Sequence, residues 1–166
     1  MALTKAGLAA NEADIGLSPA ARKEVAQLLK EALANTYSLQ LKTQYYHWNV
    51  TGPSFSSLHA LFSSQYEELS AAVGELAERI RSLGHTTPGT FHEFAALSSL
   101  KEDKYPPSDW KAMVANLLAA HEALMRKVRD KITASQKNGD ESTADLFIGR
   151  LQAHEKAAWM LRSHLQ

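Results

Sequence analysis

Two apolar stripes at helical spacing, each about 30 residues long, occupy the first half of the chain. The first begins at Ser18-Pro19, where serine can cap a helix and proline is tolerated at the first helical position, and continues to about His47. Gly52-Pro53 interrupts the pattern, and the second stripe runs from about Ser54 to Leu83. At 1.5 Å per residue each helix would be roughly 40–45 Å long. Helices of this length in a small protein are typical of a helical bundle.

The second half of the chain shows two more helical patterns after a long connection. Residues 85–107 form this connection, and a short apolar segment from Phe91 to Leu97 predicts one short helix within it. A third long helix is predicted from a Ser108 cap to about Lys137, and a fourth from Asp140 to the end. Four long helices with one long connection between the second and third predict an all-α fold. The expected architecture is a ferritin-like four-helix bundle with a short extra helix in that connection.

Length and composition predict one domain behind a short arm. Residues 1–17 carry no sustained helical stripe and are expected to form an N-terminal arm, with the four-helix domain spanning residues 18–166. The chain has no cysteine, so any metal must be held by His, Asp, Glu and water. Its 18 basic and 18 acidic residues give zero net charge, which argues against a polycationic surface. The sequence shows no membrane span or signal peptide, so a cytoplasmic protein is expected, with nucleoid association left open.

The sequence argues against a di-iron centre inside one subunit. Such centres use Glu three residues before His on two helices, and that motif does not occur in this chain. The His-Glu pairs at His121-Glu122 and His154-Glu155 are adjacent, so their side chains point about 100° apart around a helix.

A strip of polar and small residues lies beside the apolar stripe of the second predicted helix and spans roughly 100° of its circumference. Its members are His59, Ser63, Glu67, Ser70, Gly74 and Glu78. Such a strip is commonly the solvent side of a helix. Alternatively, it packs antiparallel against its own copy across a two-fold axis, which places His59 opposite Glu78 of the partner subunit. Ser63 would then face the partner's Gly74, and His47, at the end of the preceding helix, would complete each site.

Several segments resemble the Dps proteins (DNA-binding proteins from starved cells), the mini-ferritins. The resemblance is carried by His-Trp-Asn-Val-x-Gly-Pro from His47, His59 twelve residues later, Leu-Ala-Glu-Arg at 76–79, Thr-Ala-Asp at 143–145 and His-Glu-Lys-Ala-Ala-Trp at 154–159. It implies a dodecameric shell that oxidises Fe(II), often with hydrogen peroxide, stores Fe(III) and protects against oxidative stress. It also implies a ferroxidase centre between subunits, with His47 and His59 from one chain and Glu78 from its neighbour.

The chain departs from the Dps pattern at two positions. The resemblance implies an acid where this chain has Ser63 and an aspartate where it has Gly74. Bridged irons need carboxylates to offset their charge. The remaining set of two histidines and Glu78 suits one Fe(II) with open positions, or one tetrahedral Zn(II) with water as fourth ligand. Two interpretations stay open: a ferroxidase weakened toward one metal, and a non-catalytic shell with a decayed oxidation centre.

Two residues of the strip have open roles in either case. Glu67 is a candidate auxiliary ligand, although it lies about two turns from Glu78. A glycine inside a helix costs roughly 0.5–1 kcal/mol relative to alanine, so Gly74 needs a reason. That reason is close helix approach, room for a water or peroxide, or an engineered deletion of a ligand.

Further expectations follow from the resemblance. Trp48 is expected to pack at an interface, with one-electron donation as the alternative, and Arg79 to form an inter-subunit ion pair. Asp145, with Glu141, is a candidate acid of an iron pore. The arm holds one lysine and two acids, so DNA binding, which needs basic phosphate contacts, is expected to be weak or absent.

Overall fold

The computed structural model describes residues 13–107 and 109–166, and within these ranges the fold is all-α. Five helices are present: α1 (Pro19–Asn49), α2 (Phe55–Ser82), α3 (Phe91–Leu97), α4 (Trp110–Lys137) and α5 (Glu141–Ser163). Four are long, and the short α3 lies in the connection between α2 and α4. The predicted ferritin-like architecture is therefore confirmed, with helix ends within a few residues of those expected.

Side-chain caps fix the beginnings of most helices. Ser18 accepts a hydrogen bond from the backbone amide of Ala21 at 3.2 Å, as expected for the start of α1. Asp109 caps α4; the expected cap Ser108 lies outside the described residues. Gly84 follows the end of α2 with φ +84°, a left-handed conformation that favours glycine at a helix end.

The helices pack in two pairs, α1 with α2 and α4 with α5, around a core in two parts. One part contains Tyr46, Phe62 and Leu117, and the other contains Leu29, Leu76 and Phe147, all with no exposed side-chain surface. Burial of the predicted stripes of α1 and α2 holds these two helices together. No helix of the described residues is long and apolar enough to cross a membrane.

Two ion pairs cross the interior of the bundle. Lys131 Nζ lies 2.8 Å from Glu31 Oε2, and the Arg150 guanidinium binds the Glu68 carboxylate. Lys131 and Arg150 are both buried. Opposite charges that reach the interior must be paired to offset the loss of water, so these contacts fix how the two helix pairs meet.

Candidate metal centre

The chain reversal between α1 and α2 brings His47 and His59 together. The two imidazole rings stack with centroids 3.8 Å apart and planes inclined by 22°. Gly52 makes the reversal possible because its φ is +102°, and an added Cβ would also lie 3.4 Å from Trp110 Cδ1. The twelve-residue spacing in sequence thus becomes direct contact in space.

Reciprocal hydrogen bonds fix the tautomer of both rings. His47 Nδ1 lies 2.9 Å from the carbonyl oxygen of His59, and His59 Nδ1 lies 3.0 Å from the carbonyl oxygen of His47. A carbonyl oxygen only accepts, so each Nδ1 must carry the hydrogen and donate it. In the neutral ring this tautomer keeps the lone pair on Nε2, which is the form in which histidine binds a metal.

Aromatic rings fix the position of the histidine pair. Tyr66 meets the His47 ring edge-on at 5.3 Å between centroids, and Phe55 lies 5.0 Å from the His59 ring. Both imidazoles are half-buried. The site is thus a half-buried pair of imidazoles held by hydrogen bonds and ring contacts.

The third expected ligand cannot reach this pair within one chain. Glu78 lies nineteen residues after His59 on the same helix, or roughly 28 Å along its axis. Among the described residues no group of three or more His, Asp or Glu side chains is close enough to hold a metal ion. A complete site at His47 and His59 therefore needs ligands from a second molecule or from solvent.

The strip of α2 lies on the surface of the chain. Glu67, Ser70, Gly74 and Glu78 are exposed and Ser63 is half-buried, whereas the opposite side of the helix is buried in the core. A Cβ added at Gly74 would meet nothing within 4 Å. Nothing in the described part of the chain therefore requires glycine at this position.

Several exposed apolar side chains lie on α1, at the start of α2 and on α3. Trp48 is 64% exposed and Phe91 77% exposed, and Leu41 and Phe55 are also exposed. Trp48, Phe91 and Leu41 border a groove of about 320 Å³ between α1 and α3. Trp48 thus has little packing in its own chain, and a concentration of exposed apolar surface is typical of a face that another molecule covers.

Comparisons with known proteins identify the family and agree with the observed fold. The family model described as a ferritin-like domain matches residues 26–166. The "DNA protection during starvation protein 2" of Bacillus anthracis is 33% identical over 86% of this chain and 97% of that protein. The chain belongs to the Dps family of ferritin-like proteins.

Two further relatives extend the comparison. A low temperature-induced protein of Nostoc sp., described as uncharacterised, is 42% identical over 92% of this chain and 86% of its own length. The crystal structure of a Dps protein from Vibrio cholerae superposes with a TM-score of 0.88 at 31% identity, covering 92% of this chain and 96% of that one. That protein is described as a member of a broad superfamily of ferritin-like diiron-carboxylate proteins.

The interior of this Dps chain holds a histidine pair that sequence reasoning missed. His121 Nδ1 on α4 lies 2.9 Å from His154 Nδ1 on α5, and both residues are only 2% exposed. Burial, with Arg150 nearby, lowers the pKa of His121 to about 4. Burial, with His121 and Arg150 nearby, lowers the pKa of His154 to about 2. The sequence gave no sign of this pair, because a contact between two separate helices leaves no local pattern along the chain.

The neighbouring glutamates turn away from this interior, as the helix geometry predicts. Glu122 forms an ion pair with Arg162 at 2.9 Å, and Glu155 forms one with Arg129 at 2.7 Å. No carboxylate is therefore added to the histidine pair by its sequence neighbours.

Arg79 has partners within its own chain, since its Nη2 lies 2.7 Å from Asp140 Oδ1 and its Nε donates to Thr143 Oγ1 at 2.9 Å. The inter-subunit ion pair expected for Arg79 stays a prediction. Asp140, 2% exposed, also caps α5. Arg79 thus fixes the end of α2, beside Glu78, against the start of α5. The two proposed pore acids, Glu141 and Asp145, are exposed on the first turns of α5.

Proposed function

We propose that this Dps-family protein is an iron-sequestering mini-ferritin. It oxidises Fe(II) at a site between two subunits and stores Fe(III) inside a dodecameric shell, which protects the cell against oxidative stress. His47 and His59 bind the substrate iron from one subunit, and Glu78 of the partner subunit binds it from the other. The observation that carries the proposal is the stacked, half-buried histidine pair, in which both Nδ1 atoms are held by carbonyl oxygens.

The exposed strip supports the two-chain site. An antiparallel two-fold pairing of α2 places His59 opposite the partner's Glu78, and does so twice per dimer. The apolar residues beside the strip, including Trp48 and Phe55, would lose their solvent exposure on such pairing. The resemblance to Dps proteins supports twelve subunits in the complete shell.

The ligand set suits the oxidation of iron. Two imidazoles and one carboxylate leave open positions on Fe(II), at which hydrogen peroxide can bind. In the overall reaction one peroxide takes one electron from each of two Fe(II) ions and two protons from solution, and gives two Fe(III) ions and two water molecules. The ferritin-like relatives favour iron over zinc as the metal. We place this activity in the cytoplasm and expect DNA binding to be weak, because the chain has no net positive charge.

A non-catalytic shell is the second candidate. The observation that favours it is the replacement of two family acids by Ser63 and Gly74, which removes carboxylates that stabilise ferric iron. The shell would then bind or enclose metal without oxidising it faster than water does.

Oxidation of Fe(II) by the purified assembly with hydrogen peroxide separates the two functions. The double variant His47→Ala, His59→Ala removes the nitrogen ligands. The control His92→Ala, His164→Ala removes two histidines outside the site. Gel filtration confirms that each variant assembles and recovers the ferric iron retained by the shell.

We expect fast oxidation and shell-bound Fe(III) for the wild type and the control, and the protein-free rate for the site variant. Equal rates in all three proteins and in buffer would reject the ferroxidase and leave the non-catalytic shell.

A further inference from the structure

The last turn of α1 carries His47 and needs support from outside its own helix. Carbonyl groups in the last turn lack the partners that a next turn would supply, so a helix end frays unless other groups bind it. The carbonyl oxygen of Tyr46 accepts from the Val50 amide at 2.8 Å, and that of His47 accepts from His59 Nδ1 at 3.0 Å. These bonds join the end of α1 to the chain reversal and to α2. They do not fix the joined ends against the rest of the bundle.

The Tyr46 side chain makes the connection to the rest of the bundle. It has no exposed surface, and its hydroxyl donates to Asp103 Oδ2 in the segment between α3 and α4. The same hydroxyl accepts from Asn116 Nδ2 of α4 at 3.2 Å. Lys42, one turn before Tyr46, lies with its Nζ 3.1 Å from the same Asp103 oxygen. One phenol thus ties the end of α1 both to this segment and to α4.

The bond between Tyr46 and Asp103 is of a strong kind. Burial, with the Asp103 carboxylate next to it, raises the pKa of Tyr46 well above its usual value. The phenol therefore keeps its proton near neutral pH and donates it to a carboxylate, which makes a stronger bond than two neutral groups would. Rotation of the last turn is resisted, because it would leave the buried phenol without its acceptor.

Any rotation of this turn would move His47 together with Tyr46. Consecutive side chains point about 100° apart on a helix, so Tyr46 reaches the core while His47 reaches the ring of His59. A rotation of about 20° would move an imidazole nitrogen that lies ~5 Å from the helix axis by ~2 Å. This displacement equals a whole metal–nitrogen bond of about 2 Å, so it would take the nitrogen out of bonding range.

We propose that Tyr46 is a positioning residue of the oxidation site and that Asp103 acts through it, an inference that rests on the proposed function. The phenol–carboxylate bond fixes the rotation of the last turn of α1. It thereby fixes the direction in which His47 meets the iron that Glu78 of the partner subunit binds from the other side. The segment between α3 and α4 thus sets the geometry of a site to which it contributes no ligand.

Anaerobic binding of Co(II) to the assembled protein tests this role without requiring turnover. Tyr46→Phe removes the hydroxyl and keeps the ring. Asp103→Ala removes the acceptor, whereas Asp103→Asn keeps an oxygen that can accept. The matched control is Asn35→Ala, because Asn35 Oδ1 accepts from the Ser99 amide at 2.9 Å. That bond ties the same segment to α1 about 18 Å along the helix from His47.

We expect Tyr46→Phe and Asp103→Ala to weaken Co(II) binding by about 10-fold and to alter the visible absorption of bound Co(II). Asp103→Asn should retain most of the affinity, and Asn35→Ala should change neither the affinity nor the spectrum. Hydrogen exchange measured by mass spectrometry supplies a readout that needs no metal. Amides of residues 44–50 should exchange faster in Tyr46→Phe than in the wild type, and at the wild-type rate in Asn35→Ala.

The outcomes separate the positioning role from the site itself. Suppose that Tyr46→Phe binds Co(II) as tightly as the wild type, or that Asn35→Ala is weakened equally, while His47→Ala, His59→Ala abolishes binding. Tyr46 then has only a structural role, and the inter-subunit site stands. If Tyr46→Phe does not assemble, the half-buried Asp103 decides, and equal affinity of Asp103→Ala and the wild type overturns the inference. Normal binding by the histidine variant would instead reject the proposed site.

Discussion

Acid should destabilise this protein through the buried pair His121 and His154. Their Nδ1 atoms are 2.9 Å apart, so one ring must donate and the other accept, which is possible only if at least one imidazole is neutral. Burial, with Arg150 nearby, lowers the pKa of His121 to about 4, and burial, with His121 and Arg150 nearby, lowers that of His154 to about 2. In the unfolded chain both side chains titrate near the usual value of about 6.5.

The sign of the effect follows from proton uptake. Above about pH 6.5 both states hold the histidines neutral, and the pair has no influence on pH dependence. Below that value the unfolded chain binds protons that the folded bundle excludes, so stability falls as the pH falls. Each histidine contributes about 1.4 kcal/mol per pH unit, until His121 itself begins to ionise near pH 4. Between pH 7 and pH 5 the two histidines together lower the free energy of unfolding by about 4 kcal/mol. This is a large part of the roughly 5–15 kcal/mol that stabilises a domain.

Urea unfolding at pH 7 and pH 5 measures this loss. The variant His121→Leu, His154→Leu removes both titrating groups and keeps the sites apolar, and His92→Gln removes an exposed histidine as control. From pH 7 to pH 5 the control should lose as much stability as the wild type. The loss in the double variant should be smaller by about 4 kcal/mol. If the double variant shows the same pH dependence as the wild type, the buried pair does not exclude protons and the reasoning fails.

Three further predictions concern the backbone, the interior and the metal set. Gly52→Ala should lower the free energy of unfolding, measured in urea, by about 1–3 kcal/mol and slow iron oxidation, because φ at this position is +102°. The control Gly149→Ala, at an open helical position, should raise the free energy of unfolding by up to about 1 kcal/mol. Asp140→Ala should lower the free energy of unfolding by about 3–5 kcal/mol, since it removes the cap of α5 and leaves the half-buried Arg79 guanidinium without its carboxylate. A loss of stability under about 1 kcal/mol would contradict that role. Ser63→Asp with Gly74→Asp should raise the number of Fe(II) ions bound per site, measured by anaerobic titration, and an unchanged number would show that these acids do not set it.

The fold could be predicted from the sequence because the patterns that determine it are local. Apolar spacing along the chain, the Ser18 cap and the Gly52-Pro53 break each act within a few residues, and together they place the long helices. The contact of His47 with His59 was also accessible, since a short reversal between two helices brings their adjoining ends together.

Contacts between distant helices were not accessible in this way. His121 and His154 are separated by thirty-three residues, and Arg79 is separated from Asp140 by sixty-one. Each residue looks ordinary in its own helix, and only the rotation of one helix against another decides which side chains meet. For Arg79 the resemblance pointed to a contact between subunits and did not indicate the ion pair that Arg79 forms with Asp140 within the chain.

The position of the site on one face of α2 ties its proposed chemistry to assembly. Within the described residues no carboxylate lies close enough to the two imidazoles to complete a metal site, and two imidazoles alone are a poor site for a hard cation. The proposed pairing through the strip would add Glu78 of the partner subunit and cover the apolar surface around Trp48 in the same step. Iron and the second subunit then stabilise each other's binding, because each favours the same assembled state. Dissociated chains would therefore bind iron weakly, and oxidation would be confined to protein that already has a shell in which to store the product.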